Sequence, residues 1–287
     1  MAYDLTHYIN LKQLKALGTK VKGSLDTLFS RTTGLELHNA GSHNAIYRGK
    51  NLGTEPTAAQ YAAINAGTFE DIYPGDYWQK EITFEYPDYT NEDALTSKTM
   101  TVRMNVAELD YFKNSYNCPS NKHHALIVPN APLFSCPYHD VLDSGYGYKK
   151  CKIWQVYLQG ALNAFEAFFG AEHVLTYHVR IPTNLTGAGY SQDKKTDLLN
   201  QFMCYGTNIK GYNFTWHANT QLALFKHRRG AMFWGSINEE YWLADMWQEL
   251  DGTVTGNYVC VNGIHYLASG KTITGASGVK PFCIIGA

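Results

Sequence analysis

The chain has 287 residues, with 24 basic and 25 acidic side chains and therefore a net charge of −1. Charged residues make up only 17% of the sequence, whereas aromatic residues make up 14%, and there are 21 tyrosines and 25 glycines. This composition argues against general electrostatic binding to nucleic acid or anionic lipid, and against a disordered or membrane-inserted chain. It suits a loop-rich protein of one or two domains that binds through aromatic and hydroxyl groups.

The first predicted element is an amphipathic helix over residues 5–30. Its apolar residues recur at steps of three and four, close to heptad spacing, and lysines lie between them. The stripe consists of Leu11, Leu14, Leu17, Val21, Leu25 and Leu28. Docking on its own domain is one interpretation of this helix. Its terminal position and the loop-like sequence after it favour oligomerisation or anchoring to a partner instead.

Residues 31–53 are rich in Gly, Asn, His and Ser, a composition that predicts an extended arm or linker. No internal repeat divides the remaining residues, 54–287, and we expect them to form one α+β domain. This domain opens with a short helix. Thr57 and Gln60 match a capping box, and Gly67 is suited to end the helix in a left-handed conformation.

Short strands and two further helices are predicted along this domain. We expect strands at 77–86, within 100–112, and at 124–128, 232–234, 241–243, 258–261, 264–267 and 282–285. The acidic tract 86–98 is expected to be a loop. The clearest internal helix is 153–169, which carries an apolar stripe and ends before Gly170, and a second helix fits 197–205.

The six cysteines are expected to be buried free thiols. They are Cys118, Cys136, Cys151, Cys204, Cys260 and Cys283. No two of them form a CxxC pair, and their spacings fit no zinc template. The first residues also lack the basic start and apolar stretch of a secretory signal, so a reducing compartment is the expected place of synthesis.

Two histidine motifs raise the question of a metal or an acid–base site. His123 and His124 are adjacent, and on a strand adjacent side chains point to opposite faces, so the two cannot jointly ligate one metal. His139-Asp140 is the other motif. The sequence contains no HExxH, calcium-loop, phosphate-binding glycine or GxSxG pattern. We therefore predict no metal, no cofactor and no enzymatic activity. A hidden glycosidase carboxylate pair is the enzymatic alternative.

A basic run of four residues, Lys226-His227-Arg228-Arg229, stands out in a chain of nearly zero net charge. Its position between predicted elements favours a solvated turn. Contact with a phosphate or an acidic glycan is the alternative interpretation.

Large aromatic residues gather in the last third of the chain, in Gly-rich surroundings. We expect Trp242, beside Leu243, to lie in the core. Aromatic residues next to turns offer a large contact area at low entropic cost, which suits a protein- or sugar-binding face. The predicted ligand contacts are Asn238, Trp247, Asn257, Tyr258, His265 and Tyr266. The alternative is that all of the aromatic residues belong to the core.

Several short motifs occur in an order that resembles a known group of proteins. The C-terminal runs are 241–245, 259–263 and 278–284, and the upstream runs are 43–53, 75–78, 124–129 and 226–228. Together they resemble phage and prophage virion proteins of Gram-positive bacteria that end in a C-type-lectin-like domain. Ala244 and Lys280 stand where that family usually has arginine, so a salt bridge typical of the family is expected to be weakened.

The resemblance implies a C-type-lectin-like α+β fold and a virion protein made in the host bacterial cytoplasm. Such a protein would be an adhesin of a head fibre, tail fibre or tail tip that binds a host surface glycan or protein noncovalently. Its N-terminal helix and arm would join other virion proteins and a homo-oligomer, for which we expect a trimer, with no nucleic acid or membrane insertion involved. A capsid or neck decoration protein and a virion-associated glycan hydrolase are the alternatives.

Overall fold

The structure is a computed structural model that describes residues 18–22, 24, 39–113, 121–140, 148–182, 189–207, 220–233, 240–248, 256–262, 267–272 and 274–287. Within these residues the fold is mixed α+β, as the sequence predicts. The described part contains no helix that is long and apolar enough to cross a membrane.

The longest feature is a hairpin formed by β2 (Tyr77–Asp88) and β3 (Asn91–Leu109). In β2, alternating side chains turn inward, and Trp78, Ile82 and Phe84 are buried. The acidic tract that the sequence predicts as a loop is instead the far end of this hairpin, so that prediction is wrong.

Polar contacts build the far end of the hairpin. Asp88 accepts hydrogen bonds from the backbone N and the hydroxyl of Thr90, at 2.8 and 2.7 Å. The hydroxyls of Thr83 and Thr99 pair across the strands at 2.8 Å, and Leu95 is 61% exposed. Because the backbone ladder continues here while most side chains are polar and at most partly buried, the apolar alternation that reveals a strand in a sequence is missing.

The hairpin belongs to a six-stranded sheet. Its other strands are β1 (Asn51–Gly53), β4 (Ala125–Pro129), β8 (Thr196–Leu198) and β13 (Pro281–Ile285). The order is β1-β2-β3-β4-β13-β8, with β1 parallel to β2 and the other neighbours antiparallel. Every residue of β4 and β13 is buried, which is typical of strands covered on both faces. The strands predicted at 124–128 and 282–285 are thereby confirmed.

A second sheet has five strands. They are β5 (Phe134–Pro137), β9 (Tyr241–Gln248), β10 (Gly256–Asn262), β11 (Leu267–Thr272) and β12 (Ala276–Val279). Their order is β11-β10-β9-β12-β5, and a separate pair joins β6 (Tyr177–Pro182) to β7 (Gly189–Lys194). The strands predicted at 241–243 and 258–261 are confirmed, whereas residues 264–266 of the strand predicted at 264–267 lie outside the described residues.

Lys280 marks the point where the chain passes from one sheet to the other, since β12 ends at the residue before it and β13 begins at the residue after it. Its side chain is buried, and Nζ donates to the carbonyl oxygens of Asn130, Ala231 and Met232 at 3.1–3.4 Å. The ammonium also lies 5.1 Å from the centroid of the Tyr241 ring. Lys280 therefore ties the crossover to three neighbouring carbonyls.

Two helices follow the sequence predictions closely. Helix α2 (Ala58–Ala66), which α1 (Ala40–Asn44) precedes, has the predicted capping box between Thr57 and Gln60 and ends at Gly67 in a left-handed conformation. Helix α3 (Leu158–Phe169) is preceded by a π-helical turn, Ile153–Tyr157, and ends at Gly170. The helix predicted at 153–169 is thus confirmed, with its first turn wound more loosely than expected.

Two other predictions need correction. Helix α4 (Gln201–Tyr205) begins later than predicted, because 196–198 pairs with β13 as a strand and Asn200 caps the helix by accepting from Met203 N at 2.8 Å. Helix α5 (Ala223–His227) leads into a 3-10 helix, Arg229–Phe233, where the sequence predicts a strand at 232–234. Residue 234 itself lies outside the described residues.

The described part of the predicted arm, 39–53, packs on the domain. His43 is buried, stacks on Tyr73 at 4.4 Å and donates from Nδ1 to the Ile72 carbonyl at 2.7 Å. Asn44 exchanges two hydrogen bonds of 2.9 Å with the backbone of Leu109. These contacts fix the path of the arm across the edge of the six-stranded sheet.

Residues 18–22 and 24 are helical, and Val21 is 50% exposed. The other members of the predicted oligomerisation stripe, Leu11, Leu14, Leu17, Leu25 and Leu28, lie outside the described residues. Oligomerisation through this helix therefore stays a prediction.

The core contains the tryptophan expected there. Trp242 is fully buried, and its Nε1 donates to the carbonyl oxygen of Cys136 at 2.8 Å. Four cysteines are buried and free, as predicted: Cys136, Cys151, Cys204 and Cys283. Burial raises the pKa of the Cys136 and Cys283 thiols, so they stay protonated and unreactive. The side chains of Cys118 and Cys260 lie outside the described residues.

Two fully buried carboxyl groups, together with the partly buried Glu108, whose pKa burial also raises to about 7, make the stability of the fold depend on pH. Asp197 accepts hydrogen bonds from Tyr148 Oη and Leu198 N, and Asp245 accepts from Gln201 N at 2.6 Å. Burial raises the pKa of each carboxyl to about 7. In the unfolded chain each ionises near its usual pKa of about 4. Between these values the folded state binds more protons, so its stability falls as the pH rises.

We expect the unfolding free energy to decrease between about pH 4 and pH 7, by up to ~1.4 kcal/mol per pH unit for each of the three groups. Asp245→Asn should flatten this decrease, because the amide stays neutral in both states. Urea unfolding at a series of pH values measures the slope. Glu81→Gln, at an exposed carboxyl, is the control and should leave the slope unchanged. An identical slope in wild type and Asp245→Asn would contradict the assignment to this carboxyl.

Candidate ligand-binding groove

The predicted contact residues are only partly within the described structure. Trp247 in β9 pairs directly with Asn257 in β10, and Tyr258 pairs with Met246. Three predicted contacts therefore occupy neighbouring positions on two adjacent strands, although their side chains lie outside the description. The other three, Asn238, His265 and Tyr266, also lie outside the described residues.

An open groove of about 580 Å³ lies where the two large sheets meet, beside the end of the β2–β3 hairpin. We call it the hairpin groove, and its main lining residues are Tyr86, Tyr89, Lys98, Phe134, Glu240 and Ser277. The six-stranded sheet contributes the hairpin wall, and β5, β12 and the residue before β9 contribute the other. The groove thus begins where β9, the strand that carries Trp247, enters the second sheet.

Aromatic rings form one side of the hairpin groove. Tyr86 stacks on Phe134 with ring centroids 4.7 Å apart and planes inclined by 14°. Tyr89, in the turn of the hairpin, is 46% exposed. Helix α3 packs directly against Tyr86. The contact is so close that a Cβ added at Gly160 would lie 2.3 Å from the Tyr86 Cβ. Aromatic faces with hydroxyl edges are suited to ligands that are partly apolar and partly polar.

Polar groups form the rest of the lining. Lys98 donates from Nζ to the Leu133 carbonyl at 2.6 Å, which holds the ammonium at the groove. The backbone carbonyl of Glu240 accepts from Gly278 N at 2.9 Å and from the Ser277 hydroxyl at 3.4 Å. One ammonium, a backbone carbonyl and hydroxyls are therefore gathered beside aromatic rings. Such a combination is typical of small-ligand pockets.

Sequence reasoning missed this groove for an identifiable reason. Tyr86 and Tyr89 fall in the acidic tract that the sequence predicts as a loop, and Phe134 and Glu240 are more than 40 residues away along the chain. The local signal that was present is the pair of tyrosines on either side of Pro87-Asp88. Tyrosines beside a polar turn are the kind of exposed aromatic residue that the C-terminal prediction relies on.

The two upstream motifs, 43–53 and 75–78, meet in a single polar cluster. Asp76 is fully buried and accepts from Arg48 Nε at 3.0 Å and from Arg48 Nη2 at 2.6 Å. It also accepts from the backbone N of Lys50 and of Tyr73, both at 2.8 Å. Arg48 lies 4.6 Å from the Tyr73 ring centroid. This cluster holds the arm on the sheet and is structural.

Outside that cluster, Lys50 and Arg48 both contact the exposed carboxylate of Asp71, and their hydrogen bonds hold its pKa below its usual range. The charged side chains of the two upstream motifs therefore pair mainly with other groups of the protein.

The histidine motifs make structural contacts. His123 donates from Nδ1 to Asp110 at 2.7 Å, whereas His124 is buried and accepts from Phe112 N at 3.1 Å. Burial lowers the pKa of His124. His139 pairs with Asp140 at 2.5 Å. Among the described residues, no three His, Cys, Asp or Glu side chains come close enough together to hold a metal ion.

Comparison with protein-family models, with curated proteins and with solved structures finds no match to this chain.

Proposed function

We propose that this chain is a noncovalent binding protein and that the hairpin groove receives a glycan. The observation that supports this proposal is the stacked Tyr86–Phe134 pair and the exposed Tyr89 ring, which line an open groove together with Lys98 and Glu240. Sugar rings present apolar faces that pack on aromatic rings and hydroxyls that exchange hydrogen bonds with charged and polar groups.

More specifically, we propose an adhesin of a phage virion, located on a head fibre, tail fibre or tail tip. The ordered motifs in the sequence support this assignment. The run 241–245 lies in β9, the run 259–263 begins in β10, and the run 278–284 spans β12 and β13. For the same reason we propose that the C-terminal part is a variant of the C-type-lectin-like fold.

The binding mechanism follows from the arrangement of the groove. The aromatic wall is held between two sheets and a helix, so little side-chain entropy is lost when a ligand packs on it. A single shallow groove gives weak binding. Oligomerisation through the N-terminal helix would multiply such weak contacts into firm attachment. Asn238, His265 and Tyr266, the predicted contacts outside the described residues, would extend the contact surface.

We expect Tyr89→Ala to weaken glycan binding about tenfold, equivalent to ~1.4 kcal/mol, because it removes the exposed ring of the groove. Labelled full-length protein on a glycan array and on a panel of Gram-positive cell envelopes measures the effect. Leu95→Ala is the matched control, since Leu95 is also exposed on the hairpin but does not line the groove.

Wild-type binding by both Tyr89→Ala and Glu240→Gln would exclude the groove as the ligand site. Trp247→Ala and Tyr266→Ala would then test the predicted C-terminal contacts separately. If these variants also leave binding to host cells unchanged, the predicted contact residues are wrong.

A decoration protein of the capsid or neck is the second candidate, and one observation favours it. The ion pair of Arg48 with the buried Asp76 and the Asn44–Leu109 hydrogen bonds hold the arm on the domain, which would suit a fixed attachment to a particle. An adhesin binds bare host cells and competes with phage, whereas a decoration protein binds only virions. Release of reducing sugar from the envelopes would instead indicate a glycan hydrolase.

A further inference from the structure

The side chains of the basic run at 226–229 make two kinds of contact. His227 donates from Nε2 to the carbonyl oxygen of Asn44 at 2.8 Å. Arg228 donates to the Tyr47 hydroxyl at 3.0 Å, and its guanidinium lies 5.6 Å from the centroid of that ring. The two central residues of the run therefore contact the arm.

The two outer residues, Lys226 and Arg229, line a different feature. They border a pocket of about 360 Å³ together with Tyr205, Thr207, Gln221 and Phe225. Lys226 and Arg229 are exposed at its rim. None of these six described lining residues is acidic. The pocket thus brings two cations together beside an aromatic ring and an amide.

The walls of this pocket are held by the fold. It lies between α4 and α5, which are joined by a hydrogen bond of 3.0 Å from Leu222 N to the Met203 carbonyl. Gln221 donates to the Cys204 carbonyl at 2.8 Å, so its side chain is fixed. Phe225 is buried and forms an apolar base. A site that is built on fixed elements retains its shape when a ligand is absent.

Glu108 is an acidic side chain close enough to attract Lys226, but it is hydrogen-bonded to the backbone of α5. Its Oε2 accepts a hydrogen bond of 2.8 Å from Ala223 N at the start of α5. The Glu108 carboxyl group therefore caps the start of α5 and does not line the pocket.

We propose that this pocket binds an oxyanion, either the phosphate group of a phosphorylated ligand or the carboxylate of an acidic sugar. The planar guanidinium of Arg229 matches two oxygens of either group, and the Lys226 ammonium adds a point charge. Tyr205 and Gln221 lie where the rest of the ligand would contact the protein. Because the net charge of the chain is −1, this binding is local rather than a general attraction to anions.

Titration calorimetry on the full-length protein tests the site, with inorganic phosphate as one probe and glucuronate as the other. We expect at least one of them to bind, and the double variant Lys226→Gln/Arg229→Gln to weaken that binding by about tenfold or more. Binding of phosphate alone would identify a phosphorylated ligand, and binding of glucuronate would identify an acidic sugar.

Arg228→Gln is the matched control, because it removes one charge from the same run but contacts the arm. It should change the affinity less than about twofold. Absence of binding by both probes, or an equal loss in the control and the double variant, overturns the proposal. Tyr89→Ala in the hairpin groove should leave phosphate and glucuronate binding unchanged, so this site and the proposed glycan groove succeed or fail separately.

Discussion

Replacing Arg48 with methionine should lower the free energy of unfolding by about 3 kcal/mol. Asp76 is fully buried, and Arg48 is the cation that contacts both of its carboxylate oxygens. Without this partner, the folded protein must either bury an uncompensated charge or protonate the carboxyl group. Either outcome costs far more than the loss of an exposed ion pair.

Urea unfolding followed by circular dichroism measures this loss. Lys50→Met is the matched control, because Lys50 pairs with Asp71 and both side chains of that pair are at least half exposed. It should cost less than about 1 kcal/mol. The double variant Arg48→Met/Asp76→Asn should recover part of the loss, because no buried charge remains. Equal costs for Arg48→Met and Lys50→Met would show that the buried pair is no stronger than a surface pair.

Gly160→Ala should destabilise the protein by about 2–3 kcal/mol, although alanine is the better helix former by ~1 kcal/mol. The added Cβ would lie 2.3 Å from the Tyr86 Cβ and 2.9 Å from the Tyr86 Cα. The second of these atoms is backbone, so the clash cannot be relieved by rotating a side chain. The helix or the strand must move instead, and Tyr86 would shift away from Phe134.

Thermal or urea unfolding tests this prediction, and the ellipticity of the aromatic residues reports the shift of Tyr86. The control is Gly230→Ala, where an added Cβ has no atom within 4 Å and should change stability by less than about 0.5 kcal/mol. Glycan binding should weaken in Gly160→Ala but not in Gly230→Ala. A stabilised Gly160→Ala protein would mean that α3 does not approach β2 as closely as described.

The elements that the sequence predicts correctly are those determined by local chemistry. The Thr57–Gln60 capping box and the left-handed Gly67 define α2 within eleven residues, and the apolar stripe of α3 is visible without any other part of the chain. Trp242 is placed correctly because a large apolar residue in a short strand is most often buried.

Other features depend on distant partners and cannot be seen locally. Residues 196–198 form a strand because they pair with 281–283, and Asn44 is ordered by Leu109, which lies 65 residues away. The composition of the arm predicts a loose segment, but two of its polar residues, His43 and Asn44, make the contacts that fix it on the domain. The amide of Asn44 replaces a backbone partner, so polar residues can fix a segment as well as loosen it.

The candidate site shows the same division. Trp247 and Asn257 pair across two adjacent strands of the second sheet, so the structure brings two of the predicted contacts together, while their role in binding stays a prediction. The hairpin groove combines residues near 86, 134, 240 and 277, which no spacing in the sequence connects. Such a site arises from the order of strands that are distant in the chain, and this order cannot be derived from local patterns in a single sequence.

The crossover at Lys280 determines when the two sheets can form during synthesis of the chain. Residues 276–279 supply an interior strand to the five-stranded sheet, and residues 281–285 supply an interior strand to the six-stranded one. On a ribosome, neither sheet can close until this short stretch has emerged from the exit tunnel. A translation product that stops before residue 276 would leave both sheets open at once, with unpaired edges that chaperones and proteases recognise. Only a chain translated through residue 285 can complete both sheets.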